Sequence, residues 1–284
     1  MKPPFPPPLP PLPGAGLRLS TAALKAVALE VAILAGHLAL YPSGLLPERL
    51  PAPRPHRPED RTDTPGTHRL PTDTADRPVV LLHGFVDNRS VFVLLRRTLA
   101  VPGRRRIESL NYSPLTRDIR TAAGLLGRHI EGVCARTGRD EVDIVGHSLG
   151  GLIARYYVQR LGGDRRVRTL VTLGTPHGGT NAAPLLNAHP IVRQMRPDSD
   201  VVEELRGPAP GCRTRFVCFW SDMDHVMAPV ETAALDHQDL TVRNVRVSGI
   251  GHLALPVHPA VAAEIRQALD AGPQDASERP VSVA

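Results

Sequence analysis

Aromatic residues make up only 4% of the chain, with a single Trp, so stacking platforms for nucleobases are scarce. Lysine is almost absent, occurring only as Lys2 and Lys25; arginine supplies the rest of the basic residues behind the formal net charge of +6. The arginines are dispersed among acids, and their longest run is Arg104–Arg106. The charge therefore reads as compositional bias, and a nucleic-acid partner is not expected. Three cysteines, Cys134, Cys212 and Cys218, form neither a disulfide framework nor a zinc-ligand spacing. Cys218 falls in an apolar stretch and reads as a small buried hydrophobe. No internal repeat is visible.

Proline, by contrast, is plentiful and unevenly placed. Residues 1–16 are dominated by it and read as a disordered arm, and 42–76, rich in Pro, Arg, Asp and Thr, read as a solvated linker. Between them, residues 17–41 are rich in Ala, Leu, Val and Ile, a run interrupted by Lys25, Glu30 and His37. Glu30 and His37, seven apart, share a helical face, and Lys25 points away from it. Three readings compete for this segment: a secretory signal, an uncleaved membrane anchor, or a helix docked on the protein or the membrane surface. The signal lacks a convincing small-x-small cleavage site, and Glu30 is costly inside hydrocarbon. Contact with a membrane surface through 17–41 is expected, and a membrane-associated or secreted location is favoured over the cytoplasm.

From about residue 77 to 272 the pattern alternates between short apolar runs and helical periodicity, with a flexible tail over 273–284. Strands are expected at 78–82, 106–111, 142–145, 167–173, 215–220 and 242–247, and helices at 89–100, 117–136, 149–161 and 259–271. That alternation implies an α/β domain, a mostly parallel sheet with helices on both faces. One stretch organises it. The apolar run Val142–Val145 leads into Gly146-His147-Ser148-Leu149-Gly150-Gly151, a Gly-x-Ser-x-Gly turn between a strand and a helix. Such a turn exposes a serine hydroxyl at the sheet edge, and the following helix aims its N-terminal amides at the space before it. Taken alone, Ser148 reads equally well as a helix N-cap. The first strand ends in His83-Gly84-Phe85, and in acyl-transfer enzymes of this layout that loop supplies one oxyanion donor. Here the donors would be the amides of Phe85 and Leu149.

These motifs, with Gly174-Thr175-Pro176-His177-Gly178-Gly179 and Gly251-His252-Leu253, give the chain a resemblance to the α/β-hydrolases, and among them to the bacterial triacylglycerol lipases and esterases. The resemblance spans about residues 78–271 and leaves the first 75 or so uncovered. It implies an α/β-hydrolase fold with a short lid or cap segment, and hydrolysis of esters with an apolar acyl group. A serine hydroxyl needs a base, and the base needs an acid that fixes its tautomer, in the chain order Ser, acid, His. The resemblance makes His252 the base and Asp224 the acid, because Asp224 precedes a short apolar stretch ending in Pro229. Asp222 is the alternative acid and His258 the competing base, while His177 reads as structural.

The expected cycle runs through an acyl-enzyme on Ser148 and calls for no metal or organic cofactor. Its partner is a small-molecule ester or lipid. The stretch 181–211 is too short for a cap domain, leaving a small flap or a plain connecting helix. Two other classes stay open: an acyltransferase using the same serine, and a non-catalytic binding protein that kept the fold.

Overall fold

The structure, a computed structural model, describes residues 21–45, 77–100, 106–113, 116–181 and 188–271. The expected arm (1–16), most of the linker (46–76) and the tail (273–284) lie outside the described residues.

Among the described residues six strands form one all-parallel sheet: β1 (Val79–Leu82), β2 (Ile107–Leu110), β3 (Val142–His147), β4 (Val167–Leu173), β5 (Arg215–Ser221) and β6 (Thr241–Val247). They lie in the order β2-β1-β3-β4-β5-β6. The central strands are apolar on both faces, as a sheet covered on both sides requires. Val80, Leu82, Ile144, Leu170, Phe216 and Cys218 point into one core with α3 (Ile119–Thr137) and α4 (Leu149–Arg160). Val79, Leu81, Val145, Val171, Val217 and Phe219 alternate with them. This second set packs under α2 (Val93–Leu99) and α7 (Pro259–Asp270). Cys218 is fully buried in the first core, and burial pushes its thiol up to about 12. The chain runs from β1 outward to β2 and then back to β3 on the other side of β1. Strand order therefore reverses between β1 and β3, the place where open parallel sheets present a crevice at their carboxyl ends. Ser148 and His83 both stand there.

The strands follow the expected ranges to within a residue or two. The expected helix 89–100 is divided, because the Asn88 side chain accepts from the Ser90 amide and starts a 3-10 turn, Arg89–Phe92, before α2 begins. The segment after β4 contains two short helices, α5 (Pro190–Arg193) and α6 (Asp200–Arg206), while 182–187 lie outside the described residues.

The N-terminal helix α1 (Thr21–Leu45) runs past the expected end at 41 and through Pro42. Its last turn is capped by side chains of the sheet domain. Asn88 Nδ2 donates to the Tyr41 carbonyl at 2.9 Å, Asn111 Nδ2 to Gly44 at 2.7 Å, and Arg89 to Ser43 at 3.4 Å. Helix ends leave carbonyls without intrahelical donors, and these side chains supply them. One face of α1, with Ala26, Glu30, Ile33, His37, Tyr41 and Gly44, is buried or half-buried. A stripe beside that face, with Leu24, Val27, Val31, Leu34, Leu38 and Leu45, is exposed, as are Leu29 and Leu40 on its other flank. Among the described residues this helix, over Leu24–Leu45, is the one long and apolar enough to cross a membrane.

Candidate active site

The turn at Ser148 is built by close backbone packing. Ser148 sits at φ 52° and ψ −120°, a left-handed backbone that a non-glycine residue adopts only where its surroundings fix it. Those surroundings are three hydrogen bonds: Ser148 N–H to the Leu173 carbonyl at 2.9 Å, and Thr175 Oγ1 and the Gly151 amide to the Ser148 carbonyl at 3.0 and 3.1 Å. A Cβ on Gly146 would lie 2.6 Å from the Gly151 backbone, and one on Gly150 would collide with the carbonyl oxygens of Leu82 and His83. Gly146 is thus required by the tightness of the turn itself, and Gly150 by the contact between the turn and the end of β1.

The β1 loop lies against the serine. A Cβ on Gly84 would stand 3.3 Å from Ser148 Cβ and 3.1 Å from Asp87 Oδ2. Tyr112 locks the loop, stacking on the His83 ring at 4.2 Å and donating its hydroxyl to the His83 carbonyl. Burial pushes His83 down to about 4, keeping it neutral. Phe85 packs its ring on His189 beside α5 at 5.0 Å. The next residue, Val86, also has a left-handed φ of 55°, unfavourable for a β-branched side chain. Of the two expected oxyanion donors, Phe85 follows Gly84 in the β1 loop and Leu149 is the first residue of α4.

Beside Gly174, at the end of β4, Asp224 and His252 meet. His252 Nδ1 is 2.7 Å from Asp224 Oδ2, and both side chains are buried. The other carboxylate oxygen of Asp224 accepts from the amides of Val226 and Met227 at 3.0 and 3.2 Å, which fixes its orientation. The loops carrying the pair are tied together by Ser221 Oγ, which donates to the Ile250 carbonyl. Burial by itself lowers the His252 pKa, but the Asp224 charge and hydrogen bond, with the more distant Glu30 and Asp87, outweigh it and leave it raised above 6.5.

Asp222 lies elsewhere, its carboxylate bound to Arg246 and to Ser248 Oγ, each at 3.0 Å. His258 caps α7. His177 is buried, with Nε2 2.9 Å from Thr172 Oγ1 and its backbone carbonyl held by the buried Arg155 at 2.9 Å. Burial lowers its pKa well below 6.5.

Three polar groups at the site were not among the candidates. His147 packs its ring on that of His252 at 4.7 Å and places Nε2 3.2 Å from the His252 carbonyl. Asp87 Oδ2 lies 3.9 Å from His147 Nδ1, and burial pushes the Asp87 carboxyl up to about 6 against the pull of the His252 charge. Glu30 reaches in from α1 to the amides of Leu253 and Ala254. The shared face of Glu30 and His37 was the one signal for the last of these. No cluster of His, Cys, Asp and Glu placed to hold a metal occurs among the described residues.

Comparison with known proteins agrees with this architecture. The sequence profile of the palmitoyl protein thioesterase family matches residues 78–208, a span that includes Ser148 and ends before Asp224 and His252. Among solved structures, a lipase of Bacillus licheniformis in mature form is similar at 14% identity and a TM-score of 0.57, covering 69% of this chain and 92% of its own. Lipase B of Aspergillus fumigatus is similar at 17% identity and a TM-score of 0.61, covering 69% of this chain and 53% of its own. A gene product of Listeria innocua is similar at 14% identity and a TM-score of 0.54, covering 73% and 97%. At these identities the likeness establishes the fold: the chain is an α/β-hydrolase in architecture and resembles the lipases and esterases built on it.

Proposed function

We propose that this α/β-hydrolase-fold protein is a serine hydrolase that cleaves carboxyl esters with an apolar acyl group, through Ser148, His252 and Asp224. The observation that carries the reading is the buried 2.7 Å contact of Asp224 with His252, at the same sheet edge as the strained turn presenting Ser148. With Nδ1–H donating to Asp224, His252 holds Nε2 as the acceptor, the tautomer a general base needs. His252 takes the hydroxyl proton as Ser148 attacks the acyl carbon. The amides of Phe85 and Leu149 stabilise the oxyanion, and the protonated imidazole releases the alcohol. Water, activated by the same imidazole, then frees the acid. No step calls for a cofactor.

The thioesterase-profile match favours a second substrate class, acyl thioesters, handled by the same residues. The exposed stripe of α1 supports contact with a lipid surface in which an apolar acyl chain would be found. Spanning is the less favourable placement for this helix, because Glu30, Tyr41 and Gly44 are all bonded to the catalytic domain along its length.

The test is hydrolysis of short- and long-chain p-nitrophenyl esters and of a long-chain acyl thioester, by the full chain and by Ser148→Ala. Turnover abolished by the substitution supports the reading, and the preferred substrate sets its class. Equal rates in both proteins would remove Ser148 as nucleophile. Transfer to an added alcohol in preference to water would indicate an acyltransferase.

A further inference from the structure

The carboxylate of Glu30 lies on the buried face of α1, more than two hundred residues from the loop it touches. Oε2 accepts from the Leu253 amide and Oε1 from the Ala254 amide, each at 2.9 Å. Both amides belong to the turn that immediately follows His252. A Cβ on Gly251 would lie 2.5 Å from Glu30 Cδ and 2.7 Å from Cγ, so the glycine before His252 is what admits the side chain. The three residues around the imidazole are therefore shaped by one carboxylate from another element.

We propose that Glu30 is a positioning residue for the reaction, holding the His252 loop in register from α1 and making the N-terminal helix an integral part of the catalytic unit. This rests on the reading of His252 as the base. Two amides donating to one carboxylate form charge-assisted bonds, stronger than the neutral ones that water would offer the same turn. The imidazole is held on its ring side by Asp224 and on its backbone side by His147 and Glu30. Displacing a reacting group by about 1 Å can cost roughly a hundredfold in rate. The groups facing His252 are Asp224 from the loop after β5, His147 from β3, Asp87 from the β1 loop and Glu30 from α1, so removing Glu30 also removes one of three nearby negative charges. The same contact offers a physical link between a helix with an exposed apolar stripe and the base of the site.

The experiment compares the full chain with Glu30→Ala, Glu30→Gln and Gly251→Ala, by ester kinetics across pH, thermal unfolding, and NMR titration of the His252 ring. Glu30→Ala is expected to lower kcat by roughly ten- to a hundredfold with KM within about twofold. Glu30→Gln retains one acceptor and should recover part of that loss. Both substitutions should move the acidic limb and the His252 titration to lower pH. Gly251→Ala, which pushes the carboxylate away from the other side of the contact, should reproduce the kcat loss. An unchanged kcat and an unchanged His252 titration, with or without a fall in Tm, would overturn the proposal and leave Glu30 a purely structural contact. The NMR titration reads this contact even without turnover. A wild-type protein that hydrolyses none of the esters therefore counts against the hydrolase reading, and an unmoved His252 resonance against the role of Glu30.

Discussion

Replacing Asp224 by Asn isolates the tautomer argument. Oδ1 of Asp224 accepts from two backbone amides, Val226 and Met227, and an asparagine would keep its carbonyl oxygen there. Its NH2 group would then face His252 Nδ1 at the position now held by Oδ2, 2.7 Å away. A donor at that position turns Nδ1 into an acceptor and moves the ring proton to Nε2, which then cannot take the proton of Ser148. The substitution also strips the forming imidazolium of its buried counter-charge. The combined loss should be on the order of 10³–10⁴-fold in kcat, about 4–5.5 kcal/mol of transition-state stabilisation. The fold should survive, since the amide contacts remain. Kinetics with a p-nitrophenyl ester, paired with a melting curve, read both quantities. Asp222→Asn serves as the control, because its carboxylate binds only Arg246 and Ser248 near the surface, and it should change kcat by less than about twofold. A folded Asp224→Asn protein within tenfold of wild type, or equal losses in the two variants, would refute the argument.

Activity should fall with acid, because His252 must be neutral to act and its pKa is raised above 6.5. The limb of kcat/KM should lie above that value and move down in Asp224→Asn. Stability should also fall with acid through a different set of groups. Burial holds His83 at about 4 and lowers His147 and His177 well below 6.5, so the unfolded chain binds protons that the folded one refuses. Each such group is neutral in both states above 6.5 and loses stability as pH falls from there towards its folded value. For His83 that is roughly 3 kcal/mol by about pH 4, visible as a falling Tm. Gly150→Ala should lower both Tm and activity, since its Cβ would meet the backbone oxygens of Leu82 and His83, an overpacking cost of about 1–3 kcal/mol. Paired substitution of the exposed Val31 and Leu38 by Glu should reduce sedimentation with lipid vesicles while leaving hydrolysis of a soluble short-chain ester in place.

What was legible in the sequence follows local periodicity. The strands carry runs such as Val142–Val145 and Val167–Leu173 that place apolar residues on each face, and their alternation with helical segments specifies a covered parallel sheet. Ser148 and His252 stand out because a turn with glycines at fixed spacing leaves a trace in a few residues. The choice between Asp224 and Asp222 was not decidable from periodicity, since both follow the same strand. The turn at Met223 sends one carboxylate inward to His252 and the other outward to Arg246. Glu30 was readable only as an acid sharing a face with His37 in an apolar helix, because its partners are backbone amides at Leu253 and Ala254, which carry no side-chain signature. The extension of α1 to Leu45 has the same origin: the donors that cap it, Asn88, Arg89 and Asn111, lie far along the chain and outweigh the helix-breaking tendency of Pro42.

The central claim is that Ser148 is a nucleophile activated by His252. Its most direct test is intact-mass and peptide spectrometry after treatment with a fluorophosphonate, using wild type, Ser148→Ala and His252→Ala. A single adduct on Ser148 is expected in the wild type, none in Ser148→Ala, and labelling slowed by orders of magnitude in His252→Ala. Labelling at another residue, or equal labelling of Ser148 with and without His252, would contradict the claim.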